Sequence, residues 1–242
     1  MRLLIHASHD LALAQLRDAS GGELDLHFHG SMENLAALSR GQCDLAGFHV
    51  AEQAPTPELS RWLKAGVHKL IGVAVREQGL MVARENPLRI QGLRDLVRSG
   101  VRMVNRQQGS GTRLVFDELL DAAGIERDRL RGYQVEEFTH LAVAATVASG
   151  MADAGFGIRA AAAQSGLGFI PLASERYLLA CRGDRLQLPE LRKFIALLRS
   201  ARFGTILSRL PGYDNAITGR VTDVAHGLAG PRPARNAAPA SK

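Results

Sequence analysis

One unit of this chain is written twice. Residues 31–48 open on Ser31, run through an apolar helical stretch to Gly41, and then give Asp44, Gly47 and Phe48. Residues 139–156 open on Thr139, run to Gly150, and then give Asp153, Gly155 and Phe156. In each, a hydroxyl residue stands where it can cap a helix, and a glycine stands at the C′ position that ends it. Ordinary turn chemistry between helix and strand explains the glycines. It does not explain why a hydroxyl follows an extended segment both times, Leu24–His29 and Tyr133–Phe138. Two such units, about a hundred residues apart, imply two similar α/β lobes rather than a short-period solenoid.

The same opening occurs twice more. A strand Leu3–His6 leads through Ser8 into Asp10–Arg17, and Arg102–Asn105 leads through Gly109-Ser110-Gly111-Thr112-Arg113 into a helix over Gly111–Ala122. In an open parallel sheet such turns lie at the carboxyl ends of strands, where ligands bind. Four of them, at Ser8, Ser31, Ser110 and Thr139, are expected to face one cleft, two from each lobe. The turn at 109–113 carries the most chemistry. Free N–H groups at a helix start hold the positive end of the helix dipole. Gly111 lets backbone come close, Ser110 and Thr112 offer hydroxyls, and Arg113 offers a guanidinium fork suited to oxyanions. The run is neither a Walker A loop nor G-x-G-x-x-G, so a compact anion is implied and a nucleotide is not.

Further strands are expected at Leu45–Phe48, Leu70–Val75, Gly79–Ala83, Ala154–Phe156, Gly168–Pro171 and Arg176–Cys181. Further helices are expected at Met32–Ser39, Arg61–Ala65, Gly92–Ser99, His140–Ser149 and Pro189–Ser200, with a capped segment around Phe203–Asn215. The alternation is that of an α/β chain. Crossings between lobes near Gly79–Asn86 and Leu172–Arg182 give one lobe from residues 1–80 and 178–220 and another from 81–177.

Composition narrows the partners. Of the net charge of +6, half lies in residues 220–242, which hold Arg220, Arg232, Arg235 and Lys242 against Asp223. Residues 221–242, ending in a stretch rich in Pro and Ala, read as a disordered tail. With no helix-turn-helix pattern, contact with nucleic acid by this chain is not expected. No apolar run is long enough for a membrane span, and no basic segment followed by an apolar one opens the chain. Cys43 and Cys181, far apart, read as free thiols in a reducing compartment. A cytoplasmic protein is expected.

The residues also carry a family resemblance. Ser8-His9-Asp10, Gly30-Ser31 with Leu35, and the set Gly41, Asp44, Gly47 and His49 belong to it. So do Asn105-Arg106, the turn Gly109–Arg113, Thr139-His140 with Val143 and Ala144, and Gly150, Asp153, Gly155 and Gly157. Phe169–Leu172 with Glu175 and Tyr177 complete a pattern over residues 1–215. Together they resemble the periplasmic-binding-protein-like domain of the molybdate- and tungstate-binding type, often found fused to helix-turn-helix regulators. The resemblance implies a type II fold with two lobes that closes over its ligand in the interlobe cleft. It also implies a molybdate or tungstate ligand, no further cofactor, and a DNA-binding domain or protein as a possible partner. The ligand residues it points to are Ser8, Ser31, Ser110, Gly111, Thr112, Arg113, Thr139, His140 and Tyr177.

The chemistry agrees on its own terms. Molybdate and tungstate carry no proton at neutral pH, so their site needs donors and no carboxylate acceptor. Phosphate would need an acceptor, which Asp10 and Glu137 leave open. His140 can donate to the ligand or stand behind it, and Tyr177 can line the hinge. His27 and His29 share one face of a strand, but no third ligand is in view, so no metal is expected. The rival reading is an enzyme on the same fold. Prephenate dehydratase-like proteins use a Thr-Arg-Phe turn, but here Leu114 follows Thr112-Arg113. Phosphoribosyltransferases carry similar phosphate turns. No acid and base pair is placed for catalysis, so the chain reads as a binding module, an intracellular sensor or the effector domain of a regulator.

Overall fold

A computed structural model of the chain describes residues 2–21, 24–51 and 57–229. Alternating buried and half-buried residues place β1 over Leu3–Ala7, followed by α1 at Leu11–Ala19 and β2 at Leu24–Phe28. Then come α2 at Ser31–Ser39, β3 at Leu45–Ala51 and β4 at His68–Val82. The next elements are β5 at Met103–Arg106, α3 at Gly111–Ala122, β6 at Glu136–Glu137 and α4 at His140–Ala148. They lead to β7 at Ala154–Ile158, α5 at Arg159–Gln164 and β8 at Gly168–Arg182. Last are α6 at Pro189–Leu198, α7 at Ala201–Ser208, β9 at Tyr213–Asp214, β10 at Val221–Asp223 and α8 at Val224–Leu228.

The sheet order is β2-β1-β3-β8-β4-β7-β5-β6. The two ends are parallel, β2, β1 and β3 on one side and β7, β5 and β6 on the other. The antiparallel pair β4 and β8 joins them through fourteen residue pairs from His68↔Arg182 to Val82↔Gly168. The molecule is therefore a mixed α/β fold of two lobes. Its core is Leu, Ile, Val and Ala on both faces of the central strands, with a separate cluster around Phe116 and Phe156 in the second lobe.

Several expectations change here. The strands expected at Leu70–Val75 and Gly79–Ala83 are one strand, as are Gly168–Pro171 and Arg176–Cys181. The polar residues between them, Arg76, Gln78 and Glu175, are wholly buried rather than turned out in loops. The first crossing therefore falls at Arg76–Gln78, where β4 gives up β9 for β7, a few residues before Gly79. The expected helices at Arg61–Ala65 and Gly92–Ser99 are short 3-10 turns at Pro57–Arg61 and Leu93–Val97. Gly100, at φ 91°, and extended Arg98 leave the second no room to grow. The expected strand Tyr133–Phe138 shrinks to β6, because Gly132 turns the chain at φ 92°. The helix expected at Pro189–Ser200 is α6, and Ser200 at its end caps α7 through the Phe203 N–H, so the capped segment expected around Phe203–Asn215 starts as a helix two residues earlier. The tail assigned to 221–242 is ordered in its first part. β10 pairs with β4, and Val224 is buried. Residues 230–242 lie outside the described residues.

The crossing is tight. A Cβ on Gly79 would lie 2.0 Å from the Ile170 carbonyl oxygen, a backbone atom that cannot swing away. Gly79→Ala is expected to destabilise by about 1–3 kcal/mol, the scale of overpacking. Gly204→Ala, in α7 with open space around the new methyl, is expected to stabilise by about 1 kcal/mol. Urea denaturation of both variants checks the pair.

Candidate functional site

A cavity of about 280 Å³ lies between the lobes. Ser8 and His9 reach it from the end of β1, and Phe28, His29, Gly30 and Ser31 from the end of β2. His49 comes from β3, and Arg106 and Gln107 from the end of β5. Ser110, Gly111 and Thr112 open α3, and Phe138, Thr139 and His140 open α4. These are carboxyl ends of parallel strands and amino ends of helices, the places where α/β sheets bind ligands.

The helix starts keep their donors free. The Ser110 hydroxyl caps α3 by accepting the Arg113 N–H at 3.2 Å, and Thr139 caps α4 by accepting the Ala142 N–H at 3.0 Å. Both hydroxyls accept there, so each retains its own proton to donate. At α2 the cap position is Gly30, with no side-chain bond, and Ser31 is the first helical residue. Its hydroxyl instead meets that of Ser8 at 2.7 Å. Ser8 is not a cap either, since the Asp10 carboxylate accepts the Leu13 N–H. Thr112 is buried, and its hydroxyl has no partner among the described residues.

The arginine on the cavity is not the one expected. Arg113 is absent from the cavity wall. Its Nε donates to Asp117 at 3.2 Å and to the Tyr133 hydroxyl at 3.3 Å, and its Nη1 to Glu136 and the Arg106 carbonyl, each at 3.0 Å. A cation in the first turn of a helix opposes the dipole unless carboxylates stand by it. Here Asp117 and Glu136 do so, and the guanidinium stacks 4.1 Å from the Tyr133 ring. Arg113 positions the end of β5. Arg106 is the cation on the cavity. Nε donates to Gln107 and Nη2 to the Phe138 carbonyl, and no carboxylate pairs with it among the described residues. Burial first, and Arg76 second, lower its pKa to about 10, so it is charged at neutral pH. A cation ending a buried apolar strand just before a glycine turn was the signal for it in the sequence.

Tyr177 is also behind the wall. It is wholly buried, donates to the Ser8 carbonyl at 2.8 Å, and stacks on His49 at 4.4 Å. Beneath them lies a buried ion network. Arg76 donates to Asp10 at 2.7 Å and to Glu175, and Tyr213 donates to the same Asp10 oxygen at 2.8 Å. Arg76, Asp10 and Glu175 are each wholly buried. With Asp10 so engaged, the cavity lining includes no carboxylate among the described residues.

His9, His29 and His49 were not assigned from sequence, and His140 was. Burial, reinforced by Arg106 and Arg76, holds His49 and His140 neutral, well below the usual imidazole range. His140 Nδ1 and His9 Nδ1 have no partner among the described residues. Such groups resist protonation only while folded. The unfolded chain takes up their protons near pH 6.5, so stability is constant above about pH 7 and falls as pH drops below 6.5. Urea midpoints from pH 8.5 to 5.5 are expected to follow that course, and His140→Gln to flatten the fall. An unchanged slope would remove His140 from the buried neutral set.

Known proteins share this architecture. The chain is 36% identical over 198 residues to "Uncharacterized protein YvgK" of Bacillus subtilis (strain 168), and it spans 64% of that protein's length and 80% of its own. It superposes on an ABC-type phosphate transport receptor from Vibrio cholerae with TM-score 0.62 and 16% identity, covering 88% of this chain and 99% of the receptor. It superposes on the substrate-binding domain of a putative molybdenum ABC transporter from Clostridium difficile with TM-score 0.54 and 18% identity, covering 88% and 98%. Among the described residues, no helix is long and apolar enough to cross a membrane. The PBP superfamily domain matches residues 13–199, and with two lobes around one polar cavity this chain belongs to that family of small-molecule-binding domains.

Proposed function

We propose that the cleft reversibly binds a fully deprotonated tetrahedral dianion, molybdate or tungstate, and that the chain serves as a ligand-sensing domain. The observation that carries this reading is the lining itself: among the described residues it has one arginine without a carboxylate partner, three helix starts, free hydroxyls and no carboxylate. Arg106 supplies a full charge, and each helix start supplies about half a charge. Backbone N–H groups of Gly111, Thr112, Ser31 and His140, with the hydroxyls, supply donors to several oxygens at once. An anion without protons leaves none of these donors facing another donor. Monoprotonated phosphate brings a proton that needs an acceptor, and for it the lining offers only neutral imidazoles and hydroxyls, with no carboxylate among the described residues.

The fold is shared with a phosphate receptor and with a putative molybdenum transporter's domain, so the architecture leaves both anions open and the reading rests on the lining. The cavity would hold roughly nine waters at about 30 Å³ each. That volume admits molybdate, tungstate and sulfate alike. Glu175, 3.6 Å from His49 Nδ1, is tied to Arg76, and Glu33, 3.4 Å from His29 Nδ1, is largely exposed; neither lines the cavity, which favours binding without turnover.

Thermal melting tests the reading. Micromolar molybdate or tungstate is expected to raise the melting temperature as RT ln(1 + [L]/Kd), with phosphate at least tenfold weaker. Arg106→Ala should lose about 2 kcal/mol or more of binding, roughly 30-fold, as expected for a charged hydrogen-bond partner. A shift by phosphate alone, or by prephenate or a phosphoribosyl compound, would overturn the assignment.

A further inference from the structure

We propose that His6, His27 and His29 form a site for one divalent transition-metal ion of the zinc, nickel or copper class at the edge of the sheet. His6 is the third ligand that the strand pair His27 and His29 lacks in sequence. Parallel pairing of β1 and β2 sets His6 directly against His27. His29 follows two residues on, held by its N–H to the Ala7 carbonyl at 2.9 Å. The three rings therefore share one face. Their centroids are 5.0 Å (His6 to His29), 5.8 Å (His6 to His27) and 6.5 Å (His27 to His29) apart. Two imidazoles bound to one tetrahedral ion at about 2.0–2.1 Å have centroids about 5 Å apart, so little movement is required.

The rings are free to make that movement. As placed, no three donors among the described residues meet at a point. β2 is the outer strand, and the His27 and His29 side chains are 52% and 37% exposed, so both can turn. Two carboxylates are placed to orient them. Asp25 lies 2.8 Å from His27 Nε2, and Glu33 lies 3.4 Å from His29 Nδ1. This leaves His27 Nδ1 and His29 Nε2 for the ion, backed by carboxylates as metal-bound histidines usually are. A metal takes the unprotonated imidazole, so its binding competes with protons. All-imidazole donors select transition metals over calcium or magnesium. His29 also lines the anion cavity, so a cation held here would sit at its rim.

Titration calorimetry with zinc chloride at pH 7.5 tests the site on the full chain. One equivalent is expected to bind at micromolar concentration, and binding is expected to vanish at pH 5.5. His6→Ala and His27→Ala should each weaken binding at least tenfold, Asp25→Asn about tenfold, and His226→Ala on α8 not at all. Because His27 does not line the cavity, His27→Ala should keep the molybdate-induced melting shift, which also shows that it folds. The proposal is overturned if none of zinc, nickel or copper binds saturably, or if binding survives unchanged in the His6→Ala, His27→Ala double variant.

Discussion

The Arg76 guanidinium holds the two lobes in register. It lies on β4 where that strand passes from one lobe to the other, and Glu175 faces it from the same point of β8. Its second carboxylate, Asp10, is the residue that caps α1, so the turn carrying Ser8 and His9 is fixed to the crossing strands. Burying charges is costly unless each is matched, and removing one partner of such a set leaves the others stranded. Arg76 carries two carboxylates, which leaves one negative charge behind the cavity wall. Arg106, without a carboxylate of its own, is the cation that faces it. The same network keeps Asp10 from accepting a ligand proton, and so it shapes the selectivity of the cavity as well as the fold.

Much of this could be read along the chain. The helix starts at Gly111 and His140 are where glycine and hydroxyl placement put them, because capping is local chemistry. Of the nine residues expected at the ligand, Ser8, Ser31, Ser110, Gly111, Thr112, Thr139 and His140 line one cavity. Arg113 and Tyr177 do not, and the reason is tertiary. Whether an arginine in a first turn looks outward to a ligand or sideways to Asp117 and Glu136 depends on what β6 brings beside it. The joining of β4 was hidden because its middle, Arg76-Glu77-Gln78, is polar, and polarity reads as a loop until its partners are known. His6 was hidden for a similar reason, since only strand register brings it to His27.

Neutral imidazoles give the cavity a further property. His49 and His140 sit close to Arg106 and are kept unprotonated by burial and by the arginines. A dianion placed among them would oppose both arginine effects and draw protons toward these rings. On the proposed reading, ligand binding and proton uptake would be coupled below neutral pH, while at higher pH the anion would rest on Arg106, hydroxyls and helix starts alone. The exposed Phe138 and the half-buried Phe28 flank this polar set from the two lobes. Were the lobes to close over an anion, these rings would keep water from it, which strengthens charge interactions inside.

The central claim concerns where an anion without protons sits. Anomalous diffraction from crystals grown with tungstate would locate the metal atom directly. The expected result is a single strong peak between the lobes, with oxygens in hydrogen-bond range of Arg106 and of the first N–H groups of α2, α3 and α4. A peak at Arg113, or no peak in the cleft from crystals saturated with tungstate, would contradict it.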